Sequence, residues 1–246
     1  MSDPLQSAVV TGAGRGFGHA IAAALVTVGT GVVGIARDEQ ELRAVRDELG
    51  ERFTPLAADA TDEALARDVI RERRPGLLVL NAGATPHMAP VHEQTWETFS
   101  RNWHADTRHV FAWTRAALRG PLAPGSVVVG MSSGAVLGGS VLSGGYAGAK
   151  AAIRYVLGYA ADESKRAGLD IRFVTLLPRL TPATGVGSVA IEGYAARQGV
   201  DRDTFVEGLR PILTPDQVAK AVLEVARDPA SAPEYLVSGA GLRPVG

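Results

Sequence analysis

Ala8-Val9-Val10-Thr11-Gly12-Ala13-Gly14-Arg15-Gly16-Phe17-Gly18 is the stretch that decides the architecture. A short β-branched run stops at glycines, and from Ile21 to Val28 the apolar residues take helical spacing. A strand, a glycine turn and a helix in direct succession bring bare backbone to a helix N-terminus, where amides and the helix dipole bind a pyrophosphate. The six-residue Gly-x-Gly-x-x-Gly pattern does not fit, because the position three after Gly14 is Phe17. The spacing present is Gly12-x3-Gly16-x-Gly18, in the context that gives such a motif its meaning.

Outward from this turn the alternation continues. Gly31–Ala36 reads as a second buried strand, and Asp38 with Glu41 fits a capping box that opens a helix to about Leu49. Phe53–Ala58, Leu77–Leu80, Ser126–Val129, Ile171–Leu177 and Tyr235–Val237 are further apolar runs of strand type. Between them, helical patterns cover Asp62–Glu72, a single long segment from about Thr95 to Leu118, and one from about Gly145 to Lys165-Arg166 and Gly168. Thr214-Pro215-Asp216-Gln217 opens a last helix to about Arg227. About seven short strands separated by helices predict one α/β domain over residues 1–246, a Rossmann-type doubly wound parallel sheet covered on both faces. Leu180–Leu213 is a long irregular insert with short helices, and residues 179–213 are expected to form a substrate lid. In such a sheet, ligands sit at the carboxyl ends of the strands.

Composition narrows the function. With 25 Lys+Arg against 26 Asp+Glu and no basic run, nucleic acid is not the expected partner. The absence of cysteine excludes disulfides, thiolate metal sites and cysteine nucleophiles. The basic residues divide into 22 Arg and 3 Lys, so any functional lysine is Lys150, Lys165 or Lys220. Met1-Ser2-Asp3-Pro4-Leu5-Gln6-Ser7 does not have the basic-then-apolar order of a signal peptide. The uncharged stretches Gly16–Ala36 and Gly120–Ala149 are interrupted by glycines, nine of them in the second, so no membrane span is expected. A cytoplasmic protein is the expectation. The five histidines lack the i,i+4 spacing of a helical metal pair, and no metal is expected.

Two further sites carry chemistry. At the tip of the second strand, Ala36-Arg37-Asp38 commits Asp38 to the helix cap and leaves Arg37 toward a ribose, with Arg15 a second cation nearby. Arginine there accommodates the 2′-phosphate of NADP, whereas an acid would accept the ribose hydroxyls of NAD. The second site is Ser133 with Tyr146-Ala147-Gly148-Ala149-Lys150. One helical turn separates Tyr146 from Lys150, placing both on one face, where the ammonium stabilises a phenolate suited to acid/base work.

On these motifs the chain resembles the short-chain dehydrogenase/reductase family, nearly end to end. The resemblance implies that Gly12, Arg15, Gly16, Phe17 and Gly18 bind the diphosphate side of the cofactor. It implies that Asp59 and Ala60 meet the adenine, that Asn81-Ala82-Gly83 ends the fourth strand, and that Pro178 and Thr181 lie by the nicotinamide. Ser133, thirteen residues before the tyrosine, would polarise the substrate carbonyl, rather than Ser132. Tyr146 would be the acid/base, and Lys150 would hold the nicotinamide ribose and favour the phenolate. Two residues depart from the family. Asp106 takes the position of a catalytic asparagine, in a kinked turn that holds a relay water, and Asn102 one turn earlier is a partial substitute. Arg179 stands where the family has glycine after proline.

The resulting expectation is an NADP(H)-dependent oxidoreductase interconverting a ketone or aldehyde with an alcohol. A non-catalytic NADP(H)-binding sensor of the same fold is the alternative, motivated by Asp106 and Arg179. A family isomerase or dehydratase is a third possibility. The substrate is expected to be a neutral or weakly polar small molecule walled by Ala135, Val136, Leu137, Val141 and Leu142, with a keto acid second because Arg179 offers a cation and His87 lies nearby. Two long apolar helices and the family resemblance point to a homo-oligomer, dimer or tetramer, with packing the default reading of Trp96, Trp103 and Trp113.

Overall fold

The computed structural model describes residues 4–120 and 122–245. Met1-Ser2-Asp3 of the targeting argument, Pro121 of the second uncharged stretch, and Gly246 lie outside them. In chain order the elements are β1 Ser7–Thr11, α1 Gly16–Thr27, β2 Gly31–Ala36, α2 Glu39–Leu49, β3 Phe53–Ala57, α3 Glu63–Arg73 and β4 Leu77–Leu80. There follow α4 Trp96–Asn102, α5 Arg108–Arg119, β5 Val127–Met131, α6 Ala135–Gly138, α7 Gly144–Ala167 and β6 Arg172–Pro178. The chain ends with α8 Gly185–Gln198, α9 Arg202–Glu207, α10 Pro215–Arg227, β7 Glu234–Ser238 and β8 Gly241–Pro244.

The sheet order is β3-β2-β1-β4-β5-β6-β7-β8, parallel except for β8. The period of two along each strand divides the core. Val10, Val79 and Val129 face one cluster with Ile21 and Leu25 of α1, Leu42 of α2 and Val218 and Val222 of α10. Their neighbours Val9, Leu78 and Val128 face the opposite cluster with Ile70 of α3, Trp113 of α5 and Ile153 and Leu157 of α7. Adjacent residues pointing to opposite faces, both buried, is what a doubly covered parallel sheet requires.

The sheet has eight strands, in keeping with the about seven expected, and one expectation, the single long helix, is corrected. The eighth strand, Gly241–Pro244, pairs antiparallel with β7 through the two-residue turn Gly239-Ala240. It is an exposed edge with one large apolar residue, so no buried run marked it, and its proline is tolerated because an edge leaves one side unpaired. The long helix is not continuous: a π-helical turn over Trp103–Thr107 separates α4 from α5. One inserted residue rotates the following face and turns Asp106 inward. Elsewhere the end signals act as read. Asp38 and Asp62 accept backbone N–H bonds at α2 and α3, Thr214 and Gln217 form a complete capping box, and Gly168 closes α7 at φ +65°.

No helix among the described residues is long and apolar enough to cross a membrane. The order reverses between β1 and β4, and the loops after these two strands therefore flank a crevice at their carboxyl ends.

Candidate active site

The glycine loop is built around backbone contact. Gly12 has φ +68°, and a Cβ there would lie 2.9 Å from Ala82 Cα; at Gly18 it would lie 2.0 Å from the Gly12 carbonyl oxygen. Neither position admits a side chain without backbone movement. Across the crevice, Asn81 Nδ2 donates to the carbonyls of Thr11 (3.1 Å) and Gly12 (3.3 Å). Thr11 Oγ1 accepts from the N–H groups of Asn81 (2.9 Å) and Ala82 (3.1 Å). Asn81-Ala82-Gly83 thus braces the loop from below. The loop leads into α1, a helix N-terminus with no acidic residue in its first turn and no side-chain cap, so its amides remain available to a diphosphate.

At the ribose end, Arg37 is exposed at the tip of β2, and its guanidinium makes no hydrogen bond or ion pair among the described residues. Its charge helps hold the Asp59 carboxyl below its ordinary range, after the larger effect of the Thr61 backbone N–H. The Asp59 carboxylate also accepts from the Thr61 hydroxyl, at 2.9 Å, and so shapes the turn after β3. Ala60 is buried there, its carbonyl accepting at 2.8 Å from the indole N–H of the fully buried Trp113. Arg15 is exposed and pairs with Glu41 at 3.2 Å. The expected capping box at α2 is therefore only half formed. Asp38 caps, but Glu41 turns to Arg15, where a charge-assisted bond replaces the bond to a backbone amide.

The candidate acid/base pair, Tyr146 and Lys150, lies on α7. Lys150 Nζ stands 5.6 Å from the centroid of the Tyr146 ring. It donates to the Met131 carbonyl at the end of β5 (3.1 Å) and pairs with the Asp106 carboxylate (3.1 Å). Burial works against the ammonium, yet the charges of Asp106 and Tyr146 and the hydrogen bond it donates to Asp106 outweigh it and raise the Lys150 pKa. Of the two serines after β5, Ser132 is buried and donates to the Lys150 carbonyl at 2.8 Å. Ser133 is half-buried, and its oxygen accepts from the Ala135 N–H at 3.2 Å. The Ser133 hydroxyl hydrogen thus remains available to a substrate oxygen.

Pro178 is buried, and its carbonyl accepts from Gly134 N–H at 2.9 Å. Arg179 is exposed, its Cγ 3.6 Å from where a Cβ on Gly134 would be, and its guanidinium has no hydrogen bond or ion pair among the described residues. Thr181 is buried and donates to the Leu213 carbonyl at 2.5 Å. Its hydroxyl proton is occupied within the insert and its oxygen also accepts from the Ala183 N–H at 3.2 Å, leaving one lone pair for a cofactor. The insert is more regular than expected, since α8 fills fourteen of its residues. The methyl of Thr184, which caps α8, lies 3.6 Å from where a Cβ on Gly16 would be, and Gly193 faces Met88 and Leu142. Tyr194 OH bonds to Ser140. The insert therefore spans from the glycine loop to the segment around Leu142. Of the expected pocket wall, Leu142 is buried, whereas Leu137 and Val141 are exposed.

A model of the family described as short chain dehydrogenase matches residues 6–190. The chain belongs to that family. The NADP-dependent 3-hydroxy acid dehydrogenase YdfG of Salmonella typhimurium is 28% identical over 233 residues, covering 90% of this chain and 89% of that one. The cis-4-hydroxycyclohexanecarboxylate dehydrogenase of Sinomonas cyclohexanicum is 32% identical over 236 residues, covering 91% and 90%. Among solved structures, the closed form of serine dehydrogenase complexed with NADP+ shares the fold at TM-score 0.80 and 21% identity, with 94% of each chain covered.

Within this short-chain dehydrogenase, one group beside the cluster was not anticipated from the residue pattern. His109 on α5 is buried, and neither ring nitrogen has a hydrogen bond of good geometry. Burial first, then the Lys150 charge, pushes its pKa down to about 3, against a weaker opposing pull from the Ala82 carbonyl. Its placement follows from the π turn, which a reading of one regular helix cannot contain. Trp113 is fully buried, so it serves packing and no subunit contact, and its indole N–H also holds the Ala60 carbonyl. Among the described residues no group of three His, Asp or Glu side chains is placed to hold a metal ion.

Proposed function

We propose that this short-chain dehydrogenase is an NADP(H)-dependent oxidoreductase that interconverts a ketone or aldehyde with its alcohol, with Tyr146 as acid/base. The observation that carries the reading is the Lys150 ammonium held beside the Tyr146 ring on one face of α7, with Ser133 free and Ser132 engaged. The glycine loop fits the cofactor, because Gly12 and Gly18 have no room for side chains and the α1 amides are open. Arg37 and Arg15 would hold the 2′-phosphate, Asp59 and Ala60 would border the adenine, and Lys150 would hold the nicotinamide ribose. The hydride for the carbonyl carbon is the chemistry that bound NADPH would supply. Ser133 donates a hydrogen bond to the carbonyl oxygen, where negative charge develops. Tyr146 gives its phenolic proton to that oxygen as the alcohol forms, and Lys150 stabilises the phenolate that remains until solvent reprotonates it.

The same reading places residues 179–213 as a lid, since α8 bridges the glycine loop and Leu142. It also takes the protein as a cytoplasmic homo-oligomer. NADPH oxidation against aldehydes, ketones and keto acids tests it. Tyr146→Phe is expected to abolish turnover with NADPH binding nearly intact, and near wild-type turnover in that variant refutes the mechanism.

A second substrate reading has its own observation. Arg179 packs its Cγ against Gly134, the residue after Ser133, and its guanidinium is unpaired among the described residues; the relatives named above act on a 3-hydroxy acid and a hydroxycyclohexanecarboxylate. A carboxylate anchored on Arg179 would make a hydroxy or keto acid the substrate in place of a neutral ketone. Comparing an aryl ketone with a keto acid in wild type and Arg179→Gly decides between them. Turnover of the acid alone, lost in the variant, identifies the anchor.

A further inference from the structure

Asp106 is 1% exposed, and its carboxylate is fully partnered. Lys150 Nζ lies at 3.1 Å, the Ala84 N–H at 2.8 Å, and Asn102 Nδ2 at 3.4 and 3.5 Å. The loop above it admits nothing larger than Gly83, where a Cβ would lie 2.9 Å from Asp106 Oδ2. An asparagine has the same shape, and its amide oxygen would still accept from Ala84. What the aspartate adds is charge. A buried ammonium beside a carboxylate presents a dipole to its surroundings, where a lone ammonium presents a full charge. Of the three Lys150 N–H bonds, one goes to Asp106 and one to Met131, which leaves one for Tyr146 and the cofactor ribose.

We propose that Asp106 is a positioning residue whose buried ion pair fixes the Lys150 ammonium and cancels part of the charge it turns on Tyr146, biasing the site toward carbonyl reduction and against alcohol oxidation. This rests on the acid/base role given to Tyr146. The balance is simple: reduction consumes the phenolic proton and oxidation needs the phenolate to take one, so a weaker net positive field favours the first.

The other charges around the pair do not compensate. From α5, His109 is neutral across the working range because burial and Lys150 hold its pKa at about 3. Asp59, in the loop after β3, is exposed and answers mainly to Thr61, then to Arg37 and Arg108. From α4 comes only the uncharged Asn102, and from β5 only the Met131 carbonyl. The signal is a single residue, an acid where the family resemblance puts an amide, and the π turn aims it at Lys150.

The test is a pH titration of near-ultraviolet phenolate absorbance, with Tyr146→Phe as baseline, in wild type, Asp106→Asn and Asp106→Ala, with and without NADP+. It needs no substrate. Removing one buried charge next to the lysine is expected to move the Tyr146 midpoint down by about one pH unit in both variants. The pH profile of alcohol oxidation is expected to move the same way. A midpoint unchanged within about 0.3 unit, or moved up, overturns the proposal, at the precision such titrations allow. Failure of both Asp106 variants to fold, read by circular dichroism while Tyr146→Phe folds, also overturns it, because Asp106 would then be a structural support. A shifted midpoint together with full turnover in Tyr146→Phe overturns the acid/base reading instead, and the two failures are distinguishable.

Discussion

Arg37 and Glu41 set up opposing effects on the cofactor. Arg37 is exposed and unpaired at the tip of β2, whereas Arg15 is tied to Glu41 at 3.2 Å with 80% of its side chain exposed. Most of the preference for a 2′-phosphate should therefore come from Arg37. A charge-assisted contact contributes about 1.5–3 kcal/mol, and solvent screening at an exposed site favours the lower end. About 1.5 kcal/mol is roughly tenfold in affinity. Arg37→Asp loses that contact and adds a like charge, so the NADPH:NADH affinity ratio should fall roughly 30- to 100-fold. Glu41→Gln acts oppositely. Its carboxylate oxygen lies 2.7 Å from where a Cβ on Gly14 would be, against the wall of the diphosphate loop, and neutralising it releases Arg15. NADPH should bind about three- to tenfold more tightly in that variant, and NADH less so, by the same arithmetic. Fluorescence titration of both cofactors, at two ionic strengths, reads each number. A ratio within twofold of wild type in Arg37→Asp refutes the argument, as does unchanged NADPH affinity in Glu41→Gln.

His109 predicts acid lability. Its folded pKa of about 3 lies below the unfolded value of 6.5. The neutral ring therefore contributes its full stability above pH 6.5, and that contribution is lost as pH falls toward 3, by about 5 kcal/mol at most. His109→Leu should flatten the denaturant-midpoint profile across that window, and an unchanged slope counts against the assignment. Lys150→Ala should weaken both NADPH binding and turnover, because it leaves Asp106 buried without its cation; an effect on turnover alone would dissociate the two roles. Trp96, Trp103 and Phe111 on one side and Tyr155 and Tyr159 on α7 are exposed apolar groups that an assembly would cover. Light scattering should give a multiple of 25.6 kDa at micromolar concentration, and a monomer mass would refute it.

The fold was legible where burial imposes a period. Val9 and Val10, or Leu78 and Val79, read as uninterrupted apolar runs because both faces of their strands are covered, and such runs between capped helices imply the parallel sheet. It was illegible where burial is absent. β8 is held by main-chain hydrogen bonds to β7 at an exposed edge, and Gly241-Leu242-Arg243-Pro244 carries no period that distinguishes it from a tail. The π turn was hidden for a different reason. Trp96 to Arg119 keeps helical spacing on either side of it, and a one-residue insertion alters phase without altering composition.

That phase change separates what the candidate site revealed from what it withheld. Ser133, Tyr146 and Lys150 were legible because Tyr146 and Lys150 lie one regular turn apart on α7, and regular spacing is what a sequence displays directly. Asp106 was assigned to its place by resemblance, but its ion pair with Lys150 depends on the turn that swings it inward, as does the burial of His109 three residues on. Glu41 shows the same limit from the other side. Its capping pattern was correct in composition, yet Arg15, twenty-six residues away in sequence, offered the stronger bond. In the two ion pairs a charged side chain chose a partner that only the folded chain brings near, and His109 was buried by a turn that only the folded chain shows. An ion pair's partner is a tertiary fact, whereas a helix face is a local one. The candidate site is therefore most legible in the residues that share α7 and least legible in those that set their charge.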